Sequence, residues 1–161
     1  MVDRTRRLLL GRTAAGALVA PLAGFLAACG GKSGWPEGMA EIKWDRDTCV
    51  RCSMVISDRR FAVEMRGGPK DMTLKFDDIG CALHYSREKA AEHAWLSDAA
   101  TKFWVADSAS KGNEVRWFDA RKAHYVTATS PMAYNYAAVA QPQAGSFDFD
   151  TMKQHILAKE R

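Results

Sequence analysis

The sequence predicts an α+β fold. Three observations carry that prediction. Short segments that read as strands recur through the chain, each five to seven residues long, and two of them, Arg60–Arg66 and Met72–Phe76, alternate apolar and polar residues. Two stretches instead place apolar residues at helical spacing, around 79–94 and 150–159. The strands and helices do not follow one another in a regular βαβ rhythm, so a parallel doubly wound sheet is excluded.

The chain opens on a segment of a different kind. Arg4, Arg6, Arg7 and Arg12 make a basic head, followed by an Ala- and Leu-rich run from Thr13 to Ala28. That run is too rich in small residues for a spanning helix, which needs about 20 strongly apolar residues, and Pro21 argues against a core helix. Residues 1–28 are therefore expected to be an export signal. Leu26-Ala27-Ala28-Cys29 looks like a bacterial lipobox, in which Cys29 receives a lipid. Thr5-Arg6-Arg7-Leu8-Leu9-Leu10 looks like a twin-arginine signal. The expected location is the periplasm, with the chain anchored to the membrane through Cys29. Residues 29–39, rich in Gly, read as a tether, and 40–161 as one domain.

The formal charge of +4 belongs mostly to the signal; residues 29–161 carry 19 basic and 18 acidic side chains. Nothing resembles a basic patch interleaved with aromatics, so a nucleic-acid partner is not expected. Neither a Gly-x-Ser-x-Gly nor a His-Glu-x-x-His motif is present. No nucleophile–base pair can be named, and neither catalysis nor a small-molecule substrate is expected.

Within the domain, Arg60–Arg66 alternates and reads as a strand. Gly67-Gly68-Pro69-Lys70-Asp71 is turn chemistry, and Met72–Phe76 alternates again, which together predict a hairpin. Asp78 reads as an N-cap for a helix carrying Ile79, Ala82, Leu83, Ser86, Ala90 and Ala94 on one face. Strands are predicted at Thr101–Ala106, Val115–Asp119, Ala123–Ala128 and Asn135–Ala140. A final helix is predicted from about Asp150 to Lys159, with Met152, Ile156 and Leu157 as its apolar face. The order Ser53-Met54, strand, turn, Phe76-Asp77-Asp78-Ile79, helix is echoed by Pro131-Met132, strand, turn, Phe149-Asp150-Thr151-Met152, helix. An internal duplication would explain the echo and would make Met54 and Met132 equivalent.

The chemistry concentrates in Cys49-Val50-Arg51-Cys52-Ser53-Met54. With Cys29 assigned to lipid, Cys49, Cys52 and Cys81 remain, and four readings of them stand. Thiol–disulfide exchange wants the pair at the start of a helix after a strand, whereas a strand pattern, Val55-Ile56, follows here. A Cys49–Cys52 disulfide suits an oxidising compartment. Structural zinc would need a second ligand pair, which Cys81 and His84 would supply. Cu(I) favours soft thiolate and thioether sulfur, and Met54 beside the thiols with Met132 from the second half favours this reading. Met132 follows Pro131 in a loop where no apolar periodicity requires it, whereas Met65, Met72 and Met152 read as core filler and Met39 as uninvolved. Cys81 falls in the first turn of its helix, where the dipole lowers a thiol pKa; it is either a third thiolate or a buried small apolar residue. His124 lies in a strand, and His84, His93 and His155 on helix faces.

These residues resemble a known family. Cys49-x-x-Cys52-x-Met54, Arg60-Phe61-Ala62, Phe76-Asp77-Asp78-Ile79-Gly80-Cys81, Trp104-Val105-Ala106-Asp107, Trp117-Phe118-Asp119-Ala120 and Ser130-Pro131-Met132 look like the NosL family. Its members are copper-binding accessory lipoproteins for nitrous oxide reductase. The resemblance implies two small ββαβ-like halves, similar to part of organomercurial lyase. It also implies a Cu(I) chaperone whose partners are apo nitrous oxide reductase and its maturation and transport machinery. Carried onto this sequence, the family's ligands fall on Cys52, Met54 and Met132, with Cys49 from the longer form of the motif. Two positions depart from the pattern. Ser53 stands where Gly is common, and the family's Pro-Met-Gly reads Pro131-Met132-Ala133 here.

Overall fold

The computed structural model describes residues 34–159. The expected export signal, the expected lipidation site Cys29 and the first part of the expected tether lie outside the described residues. Among the described residues no helix is long and apolar enough to cross a membrane.

The fold is α+β. β1 (Val63–Gly67) and β2 (Met72–Phe76) form the predicted hairpin, followed by α1 (Ile79–Glu88). β3 (Lys102–Ala106), β4 (Trp117–Asp119), β5 (His124–Thr127), β6 (Tyr136–Val139) and α2 (Phe149–Leu157) complete the order. The first four strands make one antiparallel sheet in the order β2-β1-β3-β4, and β5 pairs with β6 in a second. Val63 pairs with Phe76 on one side and Val105 on the other, so β1 is an interior strand of the larger sheet.

The alternation of β1 explains how that sheet is covered on both faces. Val63 and Met65 look toward α1 and α2 and share a core with Leu74, Phe76, Ile79, Leu83, Phe103 and Ile156. Ala62, by contrast, joins Met39, Ile42, Ile56 and Ala106 in a second cluster, flanked by Trp35, Trp44, Trp104 and Trp117. The chain before β1 therefore wraps the far face of the sheet as irregular structure. Trp35 and Met39, read from sequence as tether, are part of this packing: Trp35 stacks on Trp44 at 6.1 Å and meets Trp117 at 5.3 Å, and Met39 is buried. Aromatic pairing of this kind adds to area burial.

Two boundaries differ from the sequence reading. Helix α1 ends at Glu88 rather than running to Ala94, and a 3₁₀ turn at Ala94–Ser97 follows. The chain turns at Lys89, whose carbonyl accepts from Glu92 and His93, and this turn brings Trp95 and Leu96 against the core. At the other end, Asp148 caps α2 by accepting from Thr151 N–H, and Asp150 lies in the first turn, where it complements the helix dipole. A hairpin followed by an Asp-capped helix thus occurs twice. The first occurrence is extended by β3 and β4, which have no counterpart after α2 among the described residues.

Backbone hydrogen bonding joins the two sheets. Asp107 makes a parallel bridge to Ala138, and Ser108 N–H donates to the Ala138 carbonyl at 2.9 Å. Tyr125, fully buried, donates to the Ala120 carbonyl at 2.7 Å, fixing β5 against the end of β4.

Candidate metal centre

The sulfur motif forms a closed turn. Cys49 N–H donates to the Met54 carbonyl at 2.8 Å, Ser53 N–H donates to the Cys49 carbonyl at 2.9 Å, and Thr48 bridges Val55. The strand predicted at Val55-Ile56 is this single bridge. Ser53 closes the turn with φ 62°, a left-handed conformation in which any Cβ is strained. A Gly at this position would carry no such strain. The turn is tied to β2, because Val50 N–H donates to the Lys75 carbonyl at 3.0 Å and Lys75 Nζ reaches Asp47 at 2.6 Å.

This attachment places the thiols beside the residues that follow β2. Asp77 lies directly after the strand, and Asp78 caps α1 by accepting from Gly80 N–H at 2.8 Å. Cys81 then falls in the first helical turn and points back at the motif. One ligand atom from each of Cys49, Cys52, Asp77 and Cys81 lies within 4.8 Å of the others. Such a spread is compatible with four donors closing on one ion, since zinc–sulfur bonds are about 2.3 Å. Cys52 Sγ is 3.5 Å from Asp77 Oδ1. Cys49 and Cys81 are buried and Cys52 is half-buried, so the cluster opens to solvent on the Cys52 side.

The three thiols are free and electrostatically unlike. The Cys81 thiol donates to Cys49 and, with amides of Cys52 and Asp77, pulls the Cys49 pKa down to about 4 against the opposing effect of burial. Cys81, as that donor and fully buried, is held far above the usual thiol range. The two thiols titrate as a pair, with the hydrogen bond between them lowering Cys49 and raising Cys81. At Cys81, in the first helical turn, the hydrogen bond to Cys49 and burial both raise the thiol pKa. Burial pushes Cys52 up to about 11 and, together with the neighbouring Cys49 thiolate, Asp77 up to about 6.

The candidate ligands fare differently. Cys49 and Cys52 are brought together, and Cys81 joins them. Met54 belongs to the same turn, with its side chain 56% exposed. Met132 is half-buried on the β5–β6 loop, and its N–H is 3.4 Å from Asp78 Oδ2, so the loop reaches the cap next to the cluster. His84, the fourth ligand of the zinc reading, is engaged elsewhere. Its Nδ1 accepts from Arg87 at 3.0 Å, its ring lies 5.2 Å from Tyr134, and burial lowers its pKa. Asp77 takes the place that reading gave to His84. His124 sits on β5 opposite Val139 and is not in the cluster.

Asp77 was missed as a site residue because its neighbour Asp78 carries the recognisable capping signal. The spacing did hold a clue. Asp77 and Cys81 are separated by four residues across a helix start, and the N-terminal turn brings them onto one side. Neither a family model, a curated protein nor a solved structure matches the chain.

Proposed function

We propose that the protein is a membrane-anchored periplasmic Cu(I) chaperone that delivers copper for assembly of the nitrous oxide reductase copper–sulfide centre. The observation that carries the reading is the cluster of Cys49, Cys52 and Cys81, three soft donors held together with one side open. The Cys49 thiolate supplies a charge that Cu(I) neutralises, and the ion displaces the thiol proton of Cys81. Cys52 is the entry and exit ligand, because it is the thiol that solvent reaches. Met54, exposed on the same turn, and Met132, on the adjoining loop, are thioethers able to take the ion in stepwise exchange with a partner. The proposal keeps Cys52, Met54, Met132 and Cys49 as ligands and adds Cys81. The two-half, organomercurial-lyase-like architecture, the NosL resemblance and the lipid anchor at Cys29 belong to the same proposal.

Asp77 separates this reading from a structural zinc site. A carboxylate is a hard donor that Zn²⁺ accepts as a fourth ligand and Cu(I) does not. Asp77→Asn is expected to leave Cu(I) affinity within about threefold while weakening Zn²⁺ by at least tenfold, both measured anaerobically by competition with chelators. A Cu(I) loss as large as the Zn²⁺ loss would count against the assignment. So would a Cys52→Ala variant that binds Cu(I) unchanged.

One observation favours a second reading, an organomercurial-lyase-like enzyme. A carboxyl with a pKa of about 6 beside paired thiols is suited to protonating a carbon–mercury bond: the proton goes to carbon, and the mercury stays on sulfur. Release of hydrocarbon from an alkylmercury substrate would select it.

A further inference from the structure

A second site lies on the opposite side of α1 from the thiols. α1, the 3₁₀ turn, β3 and α2 enclose a cleft of about 280 Å³. Its floor is Met65, Leu83, Leu96 and Phe103, all buried, with Phe149 and Leu157 as walls. Its rim is cationic: Arg87, Arg121 and Lys153 line the same opening.

Two of these cations are fixed in place by neutral partners. Arg87 donates to the Leu157 carbonyl and to His84 Nδ1, each at 3.0 Å. Arg121 donates to the carbonyls of Thr101 at 2.7 Å and Asp98 at 3.0 Å, with its guanidinium 5.6 Å above the Phe103 ring. Of the nearby carboxylates, Glu88 pairs with Arg51, Asp119 with Lys122, and Asp98 accepts from Ala100 N–H. Among the described residues, none of the three rim cations has a carboxylate within ion-pair distance. Three positive charges around a low-dielectric floor repel one another and raise the local concentration of anions. The arginines are preorganised, so an incoming head group need not order them.

We propose that this cleft binds a short single-chain carboxylate, with the tail on Phe103 and Leu83 and the head among Arg87, Arg121 and Lys153. The cavity is near the lower end of the size range for small-molecule sites, with an apolar floor and a polar rim that also includes Ser86 and Ser97, which sets a tail of only several carbons. The site is independent of the thiol cluster and stands or falls apart from it.

The test is a titration of the full chain with acetate, butyrate, hexanoate, octanoate and octanol, followed by amide chemical shifts. Saturable binding is expected to tighten about fourfold per methylene from butyrate to octanoate. The shifts should centre on Phe103 and Leu157. Octanol should bind at least tenfold more weakly than octanoate. Lys153→Glu, at an exposed position, should weaken octanoate several-fold while leaving octanol and Cu(I) binding unchanged. Ala90→Trp, at the mouth, should block octanoate. Equal binding of octanol would show that the cations play no part, and equal binding of acetate would show that the floor plays none. Either result overturns the proposal, as does an absence of shifts at millimolar octanoate. Octanoate-sensitive binding to phosphatidylglycerol vesicles would reassign the site to a lipid and overturn the free carboxylate.

Discussion

At the residue scale, the left-handed positions are informative. Asp45, Asp71 and Asn135 adopt positive φ and belong to residue types whose short polar side chains tolerate it. Ser53 and Ala133 have φ of 62° and 55° without that advantage. Both are exposed, and both flank the methionines of the proposed site, Ser53 before Met54 and Ala133 after Met132. The strain of a left-handed L-residue, about 1–2 kcal/mol, exceeds the extra entropy that Gly loses on folding, about 0.5–1 kcal/mol. Ser53→Gly and Ala133→Gly are each expected to stabilise the fold by about 0.5–1 kcal/mol, raising Tm by about 2–5 °C in a thermal melt. A fall in Tm for either variant would show that its side chain makes a contact outweighing the strain. The thiols themselves were legible in the sequence because sulfur is rare and Cys-x-x-Cys is a short-range pattern. Cys81 and Asp77 were harder to place, since their membership depends on Val50 and Lys75 docking the motif onto β2, a contact that sequence spacing does not encode.

At the element scale, the cost of covering the sheet on both faces falls on β1. Glu64 lies between Met65 and Val63 on this interior strand and points into the second cluster, fully buried. One of its oxygens accepts from Ala40 N–H at 2.8 Å, and the other meets no donor among the described residues. Burial raises its pKa from 4.5 to about 7, although Lys75 on β2 and Arg66 on its own strand pull the other way, while Asp47 adds to the rise. The folded chain therefore binds this proton more tightly than the unfolded chain does. The stability associated with neutral Glu64 is complete below pH 4.5 and is lost as the pH rises through about 7, by on the order of 2–3 kcal/mol. Glu64→Gln keeps the shape and the acceptor for Ala40 and removes the titration. Denaturant midpoints taken from pH 5 to 8 should fall less for the variant than for the parent. Parallel curves would mean that Glu64 is solvated in the folded chain. The strand-like segments marked the strands well, and five of the six observed strands fall inside the predicted segments, with β1 extending one residue past its segment, to Gly67. What alternation did not reveal is that the polar face of β1 is also buried, because the covering layer at 35–56 is irregular and carries no periodicity.

At the scale of the whole molecule, the question is what holds the Met132 loop against the thiol cluster, since the two belong to different sheets. Asp78 does so with a single carboxylate. Its Oδ1 caps α1 through Gly80 N–H, and its Oδ2 accepts from Ser130 Oγ at 2.5 Å and faces Met132 N–H at 3.4 Å. Ser130 Oγ in turn accepts from Asn135 N–H at 2.9 Å, which folds the loop back on itself. A second contact closes the same seam: the Tyr134 ring lies so close to Gly80 that a Cβ there would overlap it, and Tyr134 OH accepts from Arg51 of the sulfur turn at 2.8 Å. The cap and the seam can be separated by substitution. Ser and Asp are comparable N-caps, so Asp78→Ser preserves the helix start but is too short to reach Ser130. Asp78→Ala loses both. A cap is worth about 1 kcal/mol, and a buried donor left without its acceptor costs about 1–3 kcal/mol. Asp78→Ser is therefore expected to destabilise by about 2 kcal/mol and Asp78→Ala by about 3 kcal/mol in urea unfolding. The decisive readout is local. In Asp78→Ser, hydrogen exchange should accelerate at Met132 and Asn135 far more than at the amides of α1. If Met132 lies in the copper pathway, release of Cu(I) to a competing chelator should change in the same variant, although no thiol has been altered. Unchanged exchange at Met132 would mean that the Tyr134–Gly80 contact suffices to hold the loop, and Gly80→Ala would then be the substitution that opens the seam.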